Sequence, residues 1–149
     1  MTEIREAALT DEIASVLIEL SEAWEAEKSC WGYRKNERTD IEGNRIFLAE
    51  EEGKIIGYLF GRVQSSKSMQ SVMREGTPYF ELEELYVVPE WRLKGVGSAL
   101  VNYISETVKS DAEYIVLSTA TKNWRAILRF YIDELGMDFW SARLFKKLR

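Results

Sequence analysis

The 149-residue chain contains no histidine, and its only cysteine is Cys30. Without histidine the chain has no imidazole base, which excludes a Ser-His-Asp triad and every histidine-ligated metal site. A single cysteine excludes an intrachain disulfide and metal sites built from several cysteines. We therefore expect no metal cofactor. Because such cysteine usage fits a reducing compartment, we expect a cytoplasmic protein.

Proline and glycine are also scarce, at two and nine residues, which excludes a collagen-like or linker-like chain. No apolar run approaches the roughly 18 residues that a membrane-spanning helix needs. The N-terminal residues contain no apolar signal core. Twenty basic residues against 25 acidic ones give a net charge of −5. We expect neither nucleic acid nor membrane as a partner.

The residues that are present suit one ordinary globular domain. Hydrophobic residues make up 46% of the chain and aromatic residues 12%, which is ample for a well-filled core. No repeat, low-complexity tract or linker divides the sequence. We therefore expect a single domain over residues 1–149.

Hydrophobic periodicity predicts alternating strands and helices. Strands are predicted over residues 2–6, 45–50, 54–60, 79–88, 114–118 and 138–148. Helices are predicted from a cap at Thr10 to about Glu27, over 95–108, and over 123–135. Residues 29–44 are predicted as loop with one short helix, and 64–78 as a mobile connection. The order β-α-β-β-β-α-β-α-β indicates a mixed α/β domain.

The segment from Glu84 to Leu100 predicts a strand, a tight basic turn and the start of a helix. Gly95 and Gly97 have no side chains to block approach to the backbone, and a helix N-terminus attracts anions. Arg92 and Lys94 add full positive charges. A phosphate or pyrophosphate is the ligand that suits this arrangement best.

Two other phosphate-binding motifs do not match. A dinucleotide fingerprint needs a third glycine where the chain has Leu100. A P-loop needs Gly-Lys-Ser/Thr after a four-residue gap, which is absent. The remaining alternative is an ordinary strand-to-helix turn that uses glycine only for tightness.

The run from Arg92 to Gly97, Arg-Leu-Lys-Gly-Val-Gly after a strand, resembles the acetyl-CoA motif of the GCN5-related N-acetyltransferases (GNAT family). The likeness is strongest from Tyr79 to Gly136, and the segment before the motif is similar to the diamine and polyamine branch. The resemblance implies a mostly antiparallel central sheet of about six to seven strands flanked by helices. It also implies transfer of an acetyl group from acetyl-CoA to an amine of a small molecule or peptide, by direct attack in a ternary complex.

The same resemblance implies the contacts to acetyl-CoA. The strand before the motif splays from its neighbour, and the pantetheine arm of the cofactor fills the gap. The implied partners of that arm are the backbone of Leu85, Tyr86 and Val87, together with Asn123, which could equally be a helix N-cap. The implied pyrophosphate site is Arg92, Leu93, Lys94, Gly95, Val96, Gly97 and Ser98.

An amine with a pKa near ~10.4 must lose a proton before or during attack. Without histidine, a carboxylate is the natural base, and Glu81, Glu83 and Glu84 precede the motif. Strand alternation puts Glu81 and Glu83 on one face and Glu84 on the other, unless a bulge shifts the register. The resemblance favours Glu83. Glu81, Glu84 and a water molecule remain alternatives, as does a merely solvated strand face.

The departing thiolate needs a proton donor, which family members supply as a tyrosine in the pattern Asn-x-x-Ala-x-x-x-Tyr. Here Tyr131 comes eight positions after Asn123 rather than seven, and Phe130 occupies the expected place. One wide helical turn, or a different starting residue for the alignment, would account for the extra residue. We choose Tyr131 as the general acid, with core packing beside Phe130 as the alternative.

The acceptor site and the C-terminal tail are less determined. Aromatic residues that could wall an acceptor cleft are Trp24, Trp31, Tyr33, Tyr79 and Trp140, and acids that could attract an amine are Glu22, Glu25, Glu27 and Asp40.

Only 13 residues follow Gly136, whereas family members commonly end in a two-stranded hairpin. We expect a shortened sheet or a homodimer in which a partner subunit completes it. A non-catalytic acyl-CoA sensor and a plain interaction domain are the competing functions.

Overall fold

The strand-forming segments pair into one sheet. The computed structural model describes residues 1–149. Its strands are β1 (Glu3–Ala7), β2 (Arg45–Glu51), β3 (Lys54–Ser65), β4 (Pro78–Val87) and β5 (Tyr114–Val116). They lie side by side in chain order. The first four strands are antiparallel neighbours, and β5 runs parallel to β4.

Helices connect and cover these strands. They are α1 (Asp11–Glu27), α2 (Arg38–Ile41), α3 (Val96–Val108) and α4 (Trp124–Leu128), with a 3-10 turn over Pro89–Trp91 and a π-helical turn over Arg129–Glu134. The predicted cap of α1 is confirmed, because Thr10 Oγ1 accepts a hydrogen bond of 3.1 Å from the Ile13 amide. None of these helices has the length and apolar character needed to cross a membrane.

The sheet is buried on both faces. On one face, α3 packs its apolar side against strand residues such as Phe47 and Phe80, with Leu100 fully buried. On the other face, Leu17 of α1 packs against Tyr58 and other strand residues. The predicted class, a mixed α/β domain with a mostly antiparallel sheet, is confirmed.

A bulge interrupts the pairing of β3 with β4. Phe60 lies opposite Glu84 and Gly61 lies opposite Leu82, so Glu83 is the extra residue without a partner. Gly61 is required there, because a β-carbon at this position would lie 2.1 Å from the Glu81 carbonyl oxygen. Because of the bulge, the side chains that follow Glu83 lie on the opposite face of the sheet from the one that simple alternation would give them.

The predicted sixth strand is wrong. Residues 135–149 form neither helix nor strand, so the sheet has five strands instead of six to seven. Apolar alternation in the tail predicts a strand only if a neighbouring edge accepts its hydrogen bonds, and β5 offers an edge of three residues. Leu144 is 94% exposed and Phe145 77% exposed.

The segment predicted as a connection, residues 64–78, overlaps both neighbouring strands. Its first two residues belong to β3, and Pro78 begins β4. Internal hydrogen bonds link the residues between these strands. The hydroxyl of Ser66, which is buried, donates to the Arg74 carbonyl oxygen (2.8 Å) and accepts from the Thr77 amide (2.9 Å). The segment is therefore linked by its own hydrogen bonds beside the sheet.

Candidate active site

A gap opens between β4 and β5. Their parallel pairing covers only Tyr79–Glu81 against Tyr114–Val116. The rest of β4, from Leu82 to Val87, has no neighbour on that edge. The predicted cofactor residues Leu85, Tyr86 and Val87 lie along this stretch, where backbone groups that point away from β3 and have no partner can pair with an extended ligand.

The bend between β4 and α3 presents backbone amides at the end of this gap. Leu93 and Gly95 have positive φ angles of 62° and 86°, and the Leu93 side chain is fully exposed. Gly95 is the N-cap residue of α3, and no side chain caps that end. The amides of Val96, Gly97 and Ser98 are thus unpaired within the helix, and such amides can bind an anion with support from the helix dipole.

Arg92 does not extend freely from this bend. Its guanidinium forms two hydrogen bonds of 2.8 Å with the Glu27 carboxylate and one of 2.9 Å with the Val87 carbonyl oxygen. It also lies 5.3 Å from the centre of the Tyr86 ring. Arg92 therefore ties the end of α1 to the bend, and much of its charge is neutralised by Glu27.

Lys94 keeps an unpaired charge beside the bend. Its Nζ lies 5.1 Å from the centre of the Trp91 ring, a cation–π contact that leaves the ammonium accessible. Of the two basic residues predicted to flank the anion site, Lys94 is the one available to a phosphate.

A wide helical turn follows α4 and contains Tyr131. In this π-helical turn, the Leu135 amide donates to the carbonyl oxygen of Phe130, five residues earlier (3.1 Å). A π-turn holds one residue more than an α-turn. The turn therefore agrees with the wide-turn interpretation of the extra residue in the tyrosine motif.

Tyr131 and Phe130 sit together next to the anion site. Their rings lie 5.0 Å apart in an edge-to-face arrangement, and Phe130 packs on Gly97 at the start of α3. Burial raises the pKa of Tyr131 to about 12, so the phenol is protonated at neutral pH and can donate a proton. Asn123 precedes α4 as its N-cap residue, but its side chain makes no capping hydrogen bond and stays available to a ligand.

The bulge rearranges the three acids of β4. It places Glu84 on the same face as Glu81 and Tyr86, whereas simple alternation puts Glu84 on the opposite face from Glu81. Glu83, at the bulge itself, is exposed. Burial first, and the neighbouring Glu83 charge second, raise the pKa of Glu81.

Glu84 is the most highly coordinated of these carboxylates. Its Oε1 accepts hydrogen bonds from the Tyr58 hydroxyl (2.8 Å), the Asn36 amide nitrogen (2.9 Å) and the Tyr33 hydroxyl (3.1 Å). Its Oε2 accepts none, yet it is not a buried unpaired atom, so it remains accessible. Burial raises the pKa of Glu84 even though these three hydrogen bonds act in the opposite direction. Sequence reasoning missed Asn36 and Tyr58. The only signal was the hydroxyl of Tyr58 in a predicted strand whose other residues are mostly apolar.

A cleft of about 270 Å³ lies between the end of α1 and the loop after β5. Two hydrogen bonds join these two parts of the chain. The Trp31 amide donates to the Ala120 carbonyl oxygen (2.9 Å), and the Lys122 amide donates to the Ser29 carbonyl oxygen (2.8 Å). The lining residues are Trp24, Glu25, Lys28, Ser29, Cys30, Tyr33 and Lys122.

Two of the predicted aromatic residues line this cleft. Trp24 stacks on Tyr33 with ring centres 4.2 Å apart, and on Tyr86 at 5.3 Å. Trp31 is exposed at the rim. The other two aromatic candidates do not line it, because Tyr79 is buried in β4 and Trp140 lies in the exposed tail.

The acids predicted to attract an amine are mostly engaged within the protein. Glu22 pairs with Lys35 (3.6 Å). Glu27 pairs with Arg92, as described above. The Asp40 carboxylate accepts a hydrogen bond of 2.8 Å from the Glu37 amide, which begins α2. Glu25 is the only one of the four that lines the cleft.

Comparisons with known proteins agree with this geometry. The family model described as Acetyltransferase (GNAT) family matches residues 10–137. The chain therefore belongs to the GNAT family of acetyltransferases. A search of curated proteins finds no significant match.

Several solved structures share the fold. A transcriptional regulator from Bacillus halodurans C-125 is 21% identical, with 99% of this chain and 100% of that one covered and a TM-score of 0.72. The aminoglycoside acetyltransferase meta-AAC0020, from an uncultured soil metagenomic sample and in complex with sisomicin, is 20% identical over 99% and 97% of the two chains, with a TM-score of 0.70. AAC(6')-Iy, in complex with the bisubstrate analog CoA-S-monomethyl-acetylneamine, is 16% identical over 100% and 99%, with a TM-score of 0.70.

Proposed function

We propose that the protein is an N-acetyltransferase that uses acetyl-CoA and a small-molecule or peptide amine in a ternary complex. One observation carries the proposal: the uncapped N-terminus of α3 lies at the end of the open β4 edge. A diphosphate bound at this helix end would be in line with the unpaired backbone groups of β4, which could pair with a pantetheine arm. Family membership supports the same co-substrate.

Except for Asn123, the residues proposed from the sequence to contact the cofactor lie along the open edge of β4, in the bend before α3 and at the start of that helix. The backbone of Leu85 to Val87 would hold the pantetheine arm, and the amides from Leu93 to Ser98, with Lys94, would hold the diphosphate. Arg92 would act differently from the other motif residues. Its contacts with Glu27 and Val87 suit a role in fixing the shape of the bend.

Tyr131 is the proposed general acid. It lies in the π-helical turn beside the start of α3, and its burial keeps the phenol protonated. A donor at this position can protonate the departing thiolate of CoA as the acetyl group is transferred.

A carboxylate of β4 is the proposed base that takes the proton of the attacking amine. The family resemblance favours Glu83, which is exposed at the bulge. The structure gives stronger support to Glu84, because its pKa is raised, its position is fixed by three hydrogen bonds and one oxygen stays accessible. A base works best when its pKa lies near the working pH.

The test is release of free thiol from acetyl-CoA in the presence of a panel of amines. The proposal predicts release that depends on both the protein and an amine. Thermal stabilisation by acetyl-CoA without thiol release would indicate an acyl-CoA sensor instead. No stabilisation and no release would indicate an interaction domain that binds no nucleotide.

We also propose that the C-terminal tail pairs with a second copy of this chain. The exposed tail carries Phe139, Trp140, Leu144, Phe145 and Leu148, while one edge of β5 has no partner. A strand added to that edge would bury this surface and extend the sheet. Sedimentation over a range of concentrations should show a dimer that is lost when residues 138–149 are removed. A monomer at every concentration would contradict this proposal.

A further inference from the structure

The charge around the cleft differs from that expected of a site for polycations. Two carboxylates near the end of α1 are held in ion pairs, Glu22 by Lys35 and Glu27 by Arg92. The Glu25 carboxylate, in the cleft wall, accepts a hydrogen bond of 2.7 Å from the Lys35 amide. Of these three carboxylates, only Glu25 has no cationic partner to offset its negative charge.

Two lysines of the cleft, by contrast, have no carboxylate partner. Lys28 and Lys122 both line it, and neither forms an ion pair within the chain. The Lys122 ammonium lies 4.6 Å from the centre of the Trp31 ring. With one glutamate against two lysines, the cleft has a net positive charge.

Hydrogen bonds hold the backbones that carry these lysines, which come from two different segments of the chain. Lys28 ends α1 in the left-handed conformation, and its amide donates to the Glu25 carbonyl oxygen (3.1 Å). The Lys122 amide donates to the carbonyl oxygen of Ser29, the residue after Lys28 (2.8 Å). Because both side chains line the same cleft, both can add positive charge to the site of a bound anion.

The deeper part of the cleft offers different chemistry. Trp24 and Tyr33 form a stacked aromatic wall. The Tyr33 hydroxyl reaches the Glu84 carboxylate at 3.1 Å, which places a negative group just beyond that wall. The lining thus combines two cations with a stacked aromatic pair, and the Glu84 carboxylate lies behind Tyr33, hydrogen-bonded to its hydroxyl.

We infer that the acceptor is a small amine that also carries a carboxylate, such as an amino acid or a short peptide, rather than a polycation. This inference rests on the proposed function. The amine would lie toward Glu84, the apolar part against Trp24, and the acceptor carboxylate between Lys28 and Lys122. A volume of about 270 Å³ suits an acceptor of this size, since it lies at the lower end of small-molecule sites. A polycation would instead place further positive charge beside the two lysines.

The experiment compares glycyl-phenylalanine with glycyl-phenylalaninamide, which present the same amine with and without the carboxylate. Spermidine serves as the polycation. We expect kcat/KM, measured by thiol release from acetyl-CoA, to be about tenfold higher for the acid than for the amide, mainly through KM. The preference should shrink as salt is added.

The lysines are tested by the double variant Lys28→Gln, Lys122→Gln. It should lose the preference, because kcat/KM for the acid should fall about tenfold, to the value for the amide. Lys109→Gln, at the far end of α3, is the matched control and should keep the preference. Calorimetry with acetyl-CoA should give the same affinity for all three proteins.

Three results would overturn the inference: an equal or better reaction with the amide or with spermidine, an acid preference that survives the double variant, or an acetyl-CoA affinity that falls in that variant. The last would assign the lysines to a phosphate of the cofactor. Direct calorimetric binding of the two dipeptides separates this inference from the proposed function. Lysine-dependent binding of the acid without thiol release would support the inference and contradict acetyl transfer.

Discussion

A β-carbon on Gly97 would lie 3.2 Å from Cζ of Phe130. The glycine that opens the start of α3 to an anion therefore also makes room for the aromatic ring that precedes Tyr131. This contact fixes the π-helical turn against the bend that carries the anion site. The proposed acid and the proposed diphosphate site are parts of one packed unit, so a change at Gly97 should affect both.

Gly97→Glu should abolish binding of acetyl-CoA, because it puts bulk and negative charge among the amides at the start of α3. Gly97→Ala is the matched control. Its methyl group only has to displace the Phe130 ring slightly, so affinity should fall no more than a few-fold. Calorimetric titration with acetyl-CoA measures both, and unchanged affinity in Gly97→Glu would show that the diphosphate site is misplaced.

Tyr131→Phe should lower kcat by about 10²-fold and change KM much less, because it removes a proton donor used only during the reaction. Phe130→Ala tests the register. It should reduce stability by removing a packed ring but retain the acid. A silent Tyr131→Phe with a large loss of kcat in Phe130→Ala would show that the tyrosine is not the donor.

Substitution of each acid of β4 in turn should identify which one acts as the base. Glu84→Gln should lower kcat/KM by about 10²-fold or more, whereas Glu83→Gln and Glu81→Gln should have smaller effects. Activity of the unmodified protein should fall as pH drops through the raised pKa of Glu84, above the ordinary glutamate value of 4.5. A pH profile unchanged by Glu84→Gln but altered by Glu83→Gln would assign the role to Glu83.

Glu84 should also make stability depend on pH. Because its pKa is higher in the folded chain than in the unfolded one, the folded state binds the proton more tightly. Its contribution to stability should therefore be greatest below about pH 4.5 and decline as pH rises through the raised value. Thermal unfolding of the unmodified protein and of Glu84→Gln across this range should show a difference that changes with pH. A constant difference would contradict the raised pKa.

The Glu27–Arg92 pair should couple α1 to the bend. Hydrogen bonds from Arg92 and Tyr86 lower the pKa of Glu27 although burial opposes them, so this contribution is present above pH 4.5 and lost as pH falls through the lowered value. A double-mutant cycle with Glu27→Gln and Arg92→Gln should give a coupling of about 1 kcal/mol, since both groups are partly exposed. The coupling should decrease with added salt; no coupling at low salt would refute it.

Most of the element order could be predicted because strong hydrophobic periodicity sets it, and the Arg92–Gly97 motif indicated the bend for which we propose anion binding. The bulge at Glu83 could not be predicted, because it depends on Gly61 facing the Glu81 carbonyl oxygen across another strand. The pairing of Glu27 with Arg92 joins residues 65 positions apart, which no local pattern reveals. The tail was predicted as a strand because alternation reports an amphipathic segment but says nothing about an available edge.

The most direct test of the account is thiol release from acetyl-CoA with a varied amine panel, run in parallel with the unmodified protein and Gly97→Glu. The account predicts amine-dependent release, with an acetylated amine detected by mass, and loss of both in the variant. Absence of release with every amine, or equal release by the variant, would contradict it.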